Sequence, residues 1–140
     1  MSTLEAENKL HEDQFGEHLD WAFHPPHFGY FGLFIEDQLV GYVQAGKTFL
    51  EKQNHVAQIN NLYITPNFRG KGLAKQLVQY VLDQLRASEK VERVYLSCTA
   101  TNKNAFRFYR GLGFQRYAVR AKAIKWQDKY DDEIELVKVL

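Results

Sequence analysis

The spacing of apolar residues changes several times along the chain, and each change marks a predicted element. Residues 4–22 carry Leu4, Leu10, Phe15, Leu19 and Ala22 among charges, a loose amphipathic helix. His24-Pro25-Pro26-His27 ends it, because each proline lacks an N–H donor and turns the residue before it away from the helix. Residues 30–36 and 39–48 are rich in aromatic and β-branched side chains and are separated by Asp37-Gln38, which reads as a hairpin. Residues 55–64 form another strand, with Val56, Ile59, Leu62 and Ile64 apolar and Thr65-Pro66 as its stop. The parity of those apolar positions changes within the run, the mark of a β-bulge. From Gly72 the period becomes helical, and Leu73, Leu77, Val78, Val81, Leu82 and Leu85 line one face of a helix ending near Ala87. A strand is predicted at 93–99. A short helix follows at 102–110, with Ala105, Phe108, Tyr109 and Leu112 on one stripe and Gly111 and Gly113 closing it. Two last strands, 114–124 and 133–140, are joined by a polar loop. This order of elements predicts a mixed α/β class built around one sheet.

Length and composition narrow the possibilities. A chain of 140 residues with 45% hydrophobic positions fits one domain over 1–140 and is too apolar to be disordered. The single cysteine, Cys98, excludes an internal disulfide and suits a reducing cytoplasm. No apolar run approaches the ~18 residues needed to cross a bilayer. The acidic, polar opening from Met1 to Lys9 lacks the basic and apolar regions of a signal peptide. Charge is unevenly distributed behind a net value of +1. Residues 66–125 carry thirteen Lys/Arg against three acids, whereas residues 1–23 carry one lysine against six acids. A basic middle between acidic ends points to an anionic partner, either nucleic acid or a phosphate-bearing cofactor, unless it is a solvated face.

The stretch from Leu62 to Ala74 separates these readings. A strand ends at a proline, and Arg69-Gly70-Lys71-Gly72 opens an amphipathic helix. Glycines at 70 and 72 allow close backbone approach, and the unpaired N–H groups of the first helical turn favour an anion. Arg69 and Lys71 add fixed charge. The pattern is neither the Walker loop nor Gly-x-Gly-x-x-Gly, since position 75 is Lys75. A nucleic-acid binder would instead spread basic residues along an open face.

Arg69-Gly70-Lys71-Gly72-Leu73-Ala74 resembles the Gln/Arg-x-x-Gly-x-Gly/Ala signature of the GNAT superfamily of acetyl-CoA-dependent N-acetyltransferases. Leu62-Tyr63-Ile64-Thr65-Pro66 is similar to that family's fourth strand and its exit. The segment from Asn102 to Phe114 is similar to its Asn-x-x-Ala-x-x-x-Tyr-x-x-x-Gly-Phe, with Ala105, Tyr109 and Gly113 in place. The resemblance covers roughly residues 29–140. It implies a mixed, mostly antiparallel sheet that splays between the strands 55–64 and 93–99, with flanking helices. It implies that acetyl-CoA is the cosubstrate, with no metal. The pyrophosphate would rest on the turn formed by Arg69, Gly70, Lys71, Gly72, Leu73, Ala74 and Lys75. Backbone groups of Leu62, Tyr63 and Ile64 would pair with the pantetheine arm, and Asn102 would bond it from the far side of the split. Tyr109 would be the acid that protonates the departing thiolate, and a backbone N–H near Leu62 would steady the oxyanion. The partners implied are acetyl-CoA and an amine acceptor, without nucleic acid or membrane; a homodimer is compatible with this.

The chain departs from the family pattern at two places. Many members carry a glutamate eleven residues before the signature, where this chain has Gln58. Asn60 and Asn61 cannot act as bases either, and His55 and Glu51 are the nearby titrating groups. Residues 1–28 show one helix-like stretch where the family opens with a strand and two helices. These departures motivate an alternative, a non-catalytic CoA-binding or regulatory module. The residues 23–34 and the loop 126–133 are expected to flank the acceptor entrance; Asp128, Asp131, Asp132 and Glu133 read first as a solvated loop and second as an attraction for a cationic amine. Cys98 reads as a small apolar strand residue, and His24 and His27 lack a third metal partner. Gly29-Tyr-Phe-Gly32 matches the Gly-x-x-Gly of an RNA-binding KH loop only as a string.

Overall fold

The computed structural model describes residues 2–3, 27–47 and 52–140. Its strands are β1 (Ser2–Thr3), β2 (His27–Ile35), β3 (Gln38–Lys47), β4 (Val56–Ile64), β5 (Arg93–Thr99), β6 (Gln115–Trp126) and β7 (Lys129–Val139). Among the described residues two α-helices, α1 (Leu73–Ala87) and α2 (Lys103–Gly111), lie between the strands. The strands form one sheet in the order β1-β2-β3-β4-β5-β7-β6, antiparallel except where β4 meets β5. The mixed, mostly antiparallel sheet expected from the sequence is therefore present. The helix predicted at 4–22 and its proline stop at 24–26 lie outside the described residues. An opening strand does exist, however: Ser2 and Thr3 pair with Ile35 and Phe34. Two residues carry no periodic signal, so the sequence pattern passed over them.

The first hairpin turns at Glu36-Asp37 rather than at Asp37-Gln38. Both turn residues have positive φ (50° and 65°), the backbone twist that matches flanking strands in a two-residue loop. The bulge expected in β4 is also present. Tyr42 pairs with Tyr63 and Gln44 with Asn60, so Val43 of β3 faces both Asn61 and Leu62. Asn61 takes φ 55°, a left-handed conformation that asparagine tolerates better than most residues. The insertion moves the core-facing positions from Ala57 and Ile59 to Ile64.

Helix α1 packs its apolar stripe on the sheet. Leu77, Val78, Val81 and Leu82 are buried with Leu33, Val43, Ala45 and Ile59, and each of the Leu, Val and Ile side chains contributes about 1.5–3 kcal/mol of transfer free energy. Helix α2 closes the other half of the core through Tyr109, followed by Leu112 and Phe114. Gly113 takes φ 96° at the exit from α2, so the chain reverses there into β6.

The parallel contact between β4 and β5 is short. It holds Val56 to Arg93, Ala57 to Val94 and Gln58 to Tyr95. Beyond that point Asn60–Ile64 pair only with β3, and Leu96–Thr99 pair only with β7. The sheet is splayed at the place the family resemblance implies.

The polar loop expected between the last two strands is corrected. Strand β6 runs on to Trp126, β7 begins at Lys129, and a two-residue turn at Gln127-Asp128 joins them, again with positive φ at both (49° and 64°). The charges that looked like a solvated loop have partners inside a strand. Asp131 accepts from the Thr101 hydroxyl, Asp132 Oδ1 accepts from the Lys122 N–H at 2.9 Å, and Glu133 meets Arg120 at 3.2 Å. Asp132 also ties the arm to the loop before α2, where its carbonyl accepts the Ala100 N–H at 2.8 Å.

Candidate active site

Two sequence motifs separated by about thirty residues meet around one cleft. The turn after β4 passes through a short 3₁₀ segment, Pro66–Phe68, and then Gly70 and Gly72 at φ 76° and 79°. Gly72 is the N-cap of α1 and supplies no side-chain acceptor, so N–H groups of the first turn remain without intrahelical partners. A Cβ built at either glycine would meet no heavy atom within 4 Å, so open space lies in front of the backbone. A cleft of about 320 Å³ runs from Gly70, Gly72 and Lys75 past Ile64 to Phe108 of α2. That geometry suits an extended anionic ligand whose phosphates approach the turn.

The basic residues of the turn divide their work. Arg69 lines the cleft and is also tied back to β4: its Nε donates to the Ile64 carbonyl at 2.7 Å, and its guanidinium sits 5.4 Å from the Tyr63 ring centre. Lys71 lies over the Phe68 ring at 5.3 Å. Arg69 therefore straps the turn to the end of β4. Lys75, in the first turn of α1, shares the cleft with Arg69 and both glycines.

The end of β4 is oriented by its neighbour. The Thr65 N–H donates to the Val40 carbonyl at 2.8 Å, and strand alternation then turns the N–H and C=O of Ile64 towards the splay. Its carbonyl is the one that Arg69 takes. Across the split, Asn102 caps α2, with Oδ1 accepting the Ala105 N–H at 3.1 Å. The side-chain nitrogen of Asn102 retains its two donors.

Tyr109 is buried at 9% exposure, with its ring set edge-on to Phe108 and Phe114 at centroid separations of 5.1 and 5.8 Å. Burial, followed by the neighbouring Cys98, pushes its hydroxyl up to about 12, so it stays protonated throughout the neutral range. Burial and then Glu133 also raise the Cys98 thiol, which keeps it from being a ready thiolate. Gln58 is exposed and sits on the last β4–β5 rung, at the point where the strands part. No Asp or Glu lies in β4. Glu51 and His24 lie outside the described residues. Gly29 and Gly32 are paired into β2, so that stretch is a strand and not a nucleic-acid clamp. Among the described residues no group of three His, Cys, Asp or Glu is placed to hold a metal, and no helix is long and apolar enough to cross a membrane.

A second cavity, of about 560 Å³, lies at the bulge and is lined by Tyr30, Leu39, Tyr42, Asn61, Leu62 and Tyr63. Tyr30 falls within the stretch expected to flank the acceptor. Tyr42 and Leu39 were not foreseen, because a sequence does not reveal which strand registers bring them beside the bulge.

The family model described as "Acetyltransferase (GNAT) family" matches residues 2–114. The chain belongs to this family. Similar GNAT sequences include the "Probable spermine N(1)-acetyltransferase" of Bacillus subtilis subsp. natto, 31% identical over 87 residues, or 60% of this chain and 57% of that protein. Another is the "N-alpha-acetyltransferase RimI" of Mycobacterium tuberculosis, 31% identical over 98 residues, covering 69% of this chain and 58% of that one. The matched stretch thus spans less than two thirds of these relatives. Among solved structures, an acetyltransferase of the GNAT family from Streptococcus pneumoniae superposes with a TM-score of 0.81 at 16% identity, covering 91% of this chain and 76% of that one. The ribosomal-protein-alanine N-acetyltransferase from Brucella melitensis gives 0.75 at 20% identity, covering 98% and 91%. These likenesses establish the GNAT fold.

Proposed function

We propose that this chain transfers an acetyl group from acetyl-CoA to a primary amine by direct attack, as a cytoplasmic enzyme. The observation that carries the reading is the cleft that joins the Gly70–Gly72 turn, the turned-out end of β4 and helix α2. The open space before both glycines fits a pyrophosphate, and Lys75 adds charge beside it. Leu62 and Ile64 would offer backbone groups along the splay, Tyr63 turning its own towards Tyr42 on β3, and Asn102 offers its side-chain donors from the opposite wall. Acetyl-CoA supplies an activated acyl thioester. Tyr109, next along α2 to the cleft-lining Phe108, keeps its proton and would donate it, or a strong hydrogen bond, to negative charge leaving on sulfur. A backbone N–H at the bulge is the donor for charge developing on the acyl oxygen. Calorimetric titration with acetyl-CoA, followed by turnover with a library of amines, tests the reading. Binding without turnover on any amine would favour the non-catalytic CoA-binding module instead.

The acceptor must lose a proton, and β4 supplies no carboxylate to take it. Gln58→Ala is therefore expected to lower activity only modestly, with the proton leaving through water. Gln58→Glu should raise the rate at neutral pH if the new carboxylate comes within about 3 Å of the amine or of one bridging water. His55→Ala examines the imidazole at the start of the strand as a proton acceptor. The measurement is turnover against pH at saturating acetyl-CoA for all three variants. A loss of several orders of magnitude in Gln58→Ala, with binding intact, would assign this position a different role.

Direct attack also makes Cys98 dispensable. Cys98→Ser should retain turnover, and rapid-mixing mass spectrometry should find no acetylated protein on the turnover timescale. A covalent species that forms and decays competently would replace direct transfer with a two-step route.

A further inference from the structure

We propose that the cavity at the β4 bulge selects an arylalkyl monoamine as acceptor, holding its ring among Tyr30, Tyr42 and Tyr63. This inference rests on the acetyl-transfer reading and specifies the substrate class of the same site. The three tyrosines come from successive strands and stand on one face of the sheet. Tyr42 and Tyr63 are directly opposed across β3 and β4, with centroids 5.7 Å apart and planes inclined by 31°. Tyr30 meets Tyr42 edge-on at 5.9 Å and 70°. The cavity beside them, about 560 Å³, falls within the roughly 300–1,000 Å³ usual for small-molecule sites.

The charges around this cavity decide between kinds of amine. Among the described residues no carboxylate lines it, and the other described walls are Leu39, Asn61 and Leu62. The Arg69 guanidinium, 5.4 Å from the Tyr63 ring centre, places a fixed positive charge at its edge. Among the described residues a polyamine would find no counter-charge for its second ammonium, and it would meet the like charge of Arg69. An aryl group needs no counter-charge, because offset and edge-to-face ring contacts recognise it. Desolvation among rings also lowers the pKa of an entering ammonium, which favours the neutral nucleophile where β4 has Gln58 in place of an acid. The amine lone pair then forms the new N–C bond, the C–S bond breaks with its electrons on sulfur, and the surplus amine proton leaves to water.

The test titrates the full chain calorimetrically, with and without CoA, using 2-phenylethylamine, spermidine and an alanine-terminated peptide, and measures kcat/KM for each. 2-Phenylethylamine should bind most tightly and give the highest kcat/KM. Tyr42→Leu should weaken its binding by about two- to tenfold while acetyl-CoA affinity is unchanged. Leu39→Glu, which adds the missing counter-charge, should shift preference towards spermidine. If Tyr42→Leu fails to fold, Tyr30→Leu replaces it, since that ring lines the same cavity and is not among the residues of the CoA cleft. Preference of the parent for spermidine or the peptide would overturn the assignment, as would unchanged arylamine binding in a folded tyrosine variant. The two readings fail differently: arylamine binding with no acetylation of any amine defeats acetyl transfer, whereas acetylation confined to spermidine or the peptide defeats the pocket assignment.

Discussion

Tyr109→Phe is expected to lower turnover by about 10²- to 10⁴-fold while leaving acetyl-CoA affinity nearly unchanged. The substitution removes one hydroxyl and keeps the ring that packs on Phe108 and Phe114, so a folding defect is not the anticipated outcome. The pH behaviour provides a second check. With the hydroxyl pushed up to about 12, Tyr109 contributes no limb to the turnover profile at neutral pH. Its folded-state pKa lies above the unfolded value near 10, so stability is undiminished below about pH 10 and is lost as pH rises through about 12. The Phe variant should lack that alkaline loss. Unchanged turnover, with chemistry shown to be rate-limiting, would reduce Tyr109 to a core residue.

Gly72→Val is expected to abolish measurable acetyl-CoA binding in a protein that still folds. The mutant side chain meets nothing in the fold itself, because the space before Gly72 is open. Its cost to folding arises from φ 79°, a conformation about 1–2 kcal/mol unfavourable for a residue with a Cβ and worse for a branched one. Its cost to binding arises from filling the space through which a phosphate would reach the α1 amides. Gly111→Ala is the control, since that glycine lies in α2 without positive φ and a Cβ there also meets nothing. Calorimetry on both variants, with circular dichroism to verify the fold, makes the comparison. Tight binding by Gly72→Val would move the phosphate site elsewhere.

Much of this architecture was legible because single residues carry it. The parity change between Ile59 and Leu62 exposed the bulge, and Asn61 is a residue type suited to the left-handed conformation that the bulge requires. Gly70 and Gly72 marked the turn, and both adopt the backbone that justified reading them as a close-approach site. Other features depended on partners distant in sequence. The acids Asp131, Asp132 and Glu133 read as a loop until Thr101, Lys122 and Arg120 were seen to bind them. Arg69 was legible as a basic residue of the turn, but its bond to the Ile64 carbonyl was not, because nothing in its neighbours revealed that reach. The tyrosine cluster depended on the registers of three strands, and only the fold sets those.

The β6–β7 arm has a bearing on colloidal behaviour. Strand β6 borders the sheet and exposes nearly its whole length, including Tyr117, Val119 and Trp126. Such a border normally invites a second chain to add a strand and start aggregation. Here the border is broken twice, between Arg116 and Ala118 and between Arg120 and Ile124, and Lys122 within the second break takes φ 53°. Arg116, Arg120, Lys122 and Lys125 recur along it, and the last two place their ammonium groups about 5.4 and 5.5 Å from the Tyr130 ring centre. An incoming strand would have to follow an interrupted ladder and leave those cations without water. The irregularities that make β6 a poor strand by pattern thus keep an exposed aromatic arm from templating fibrils.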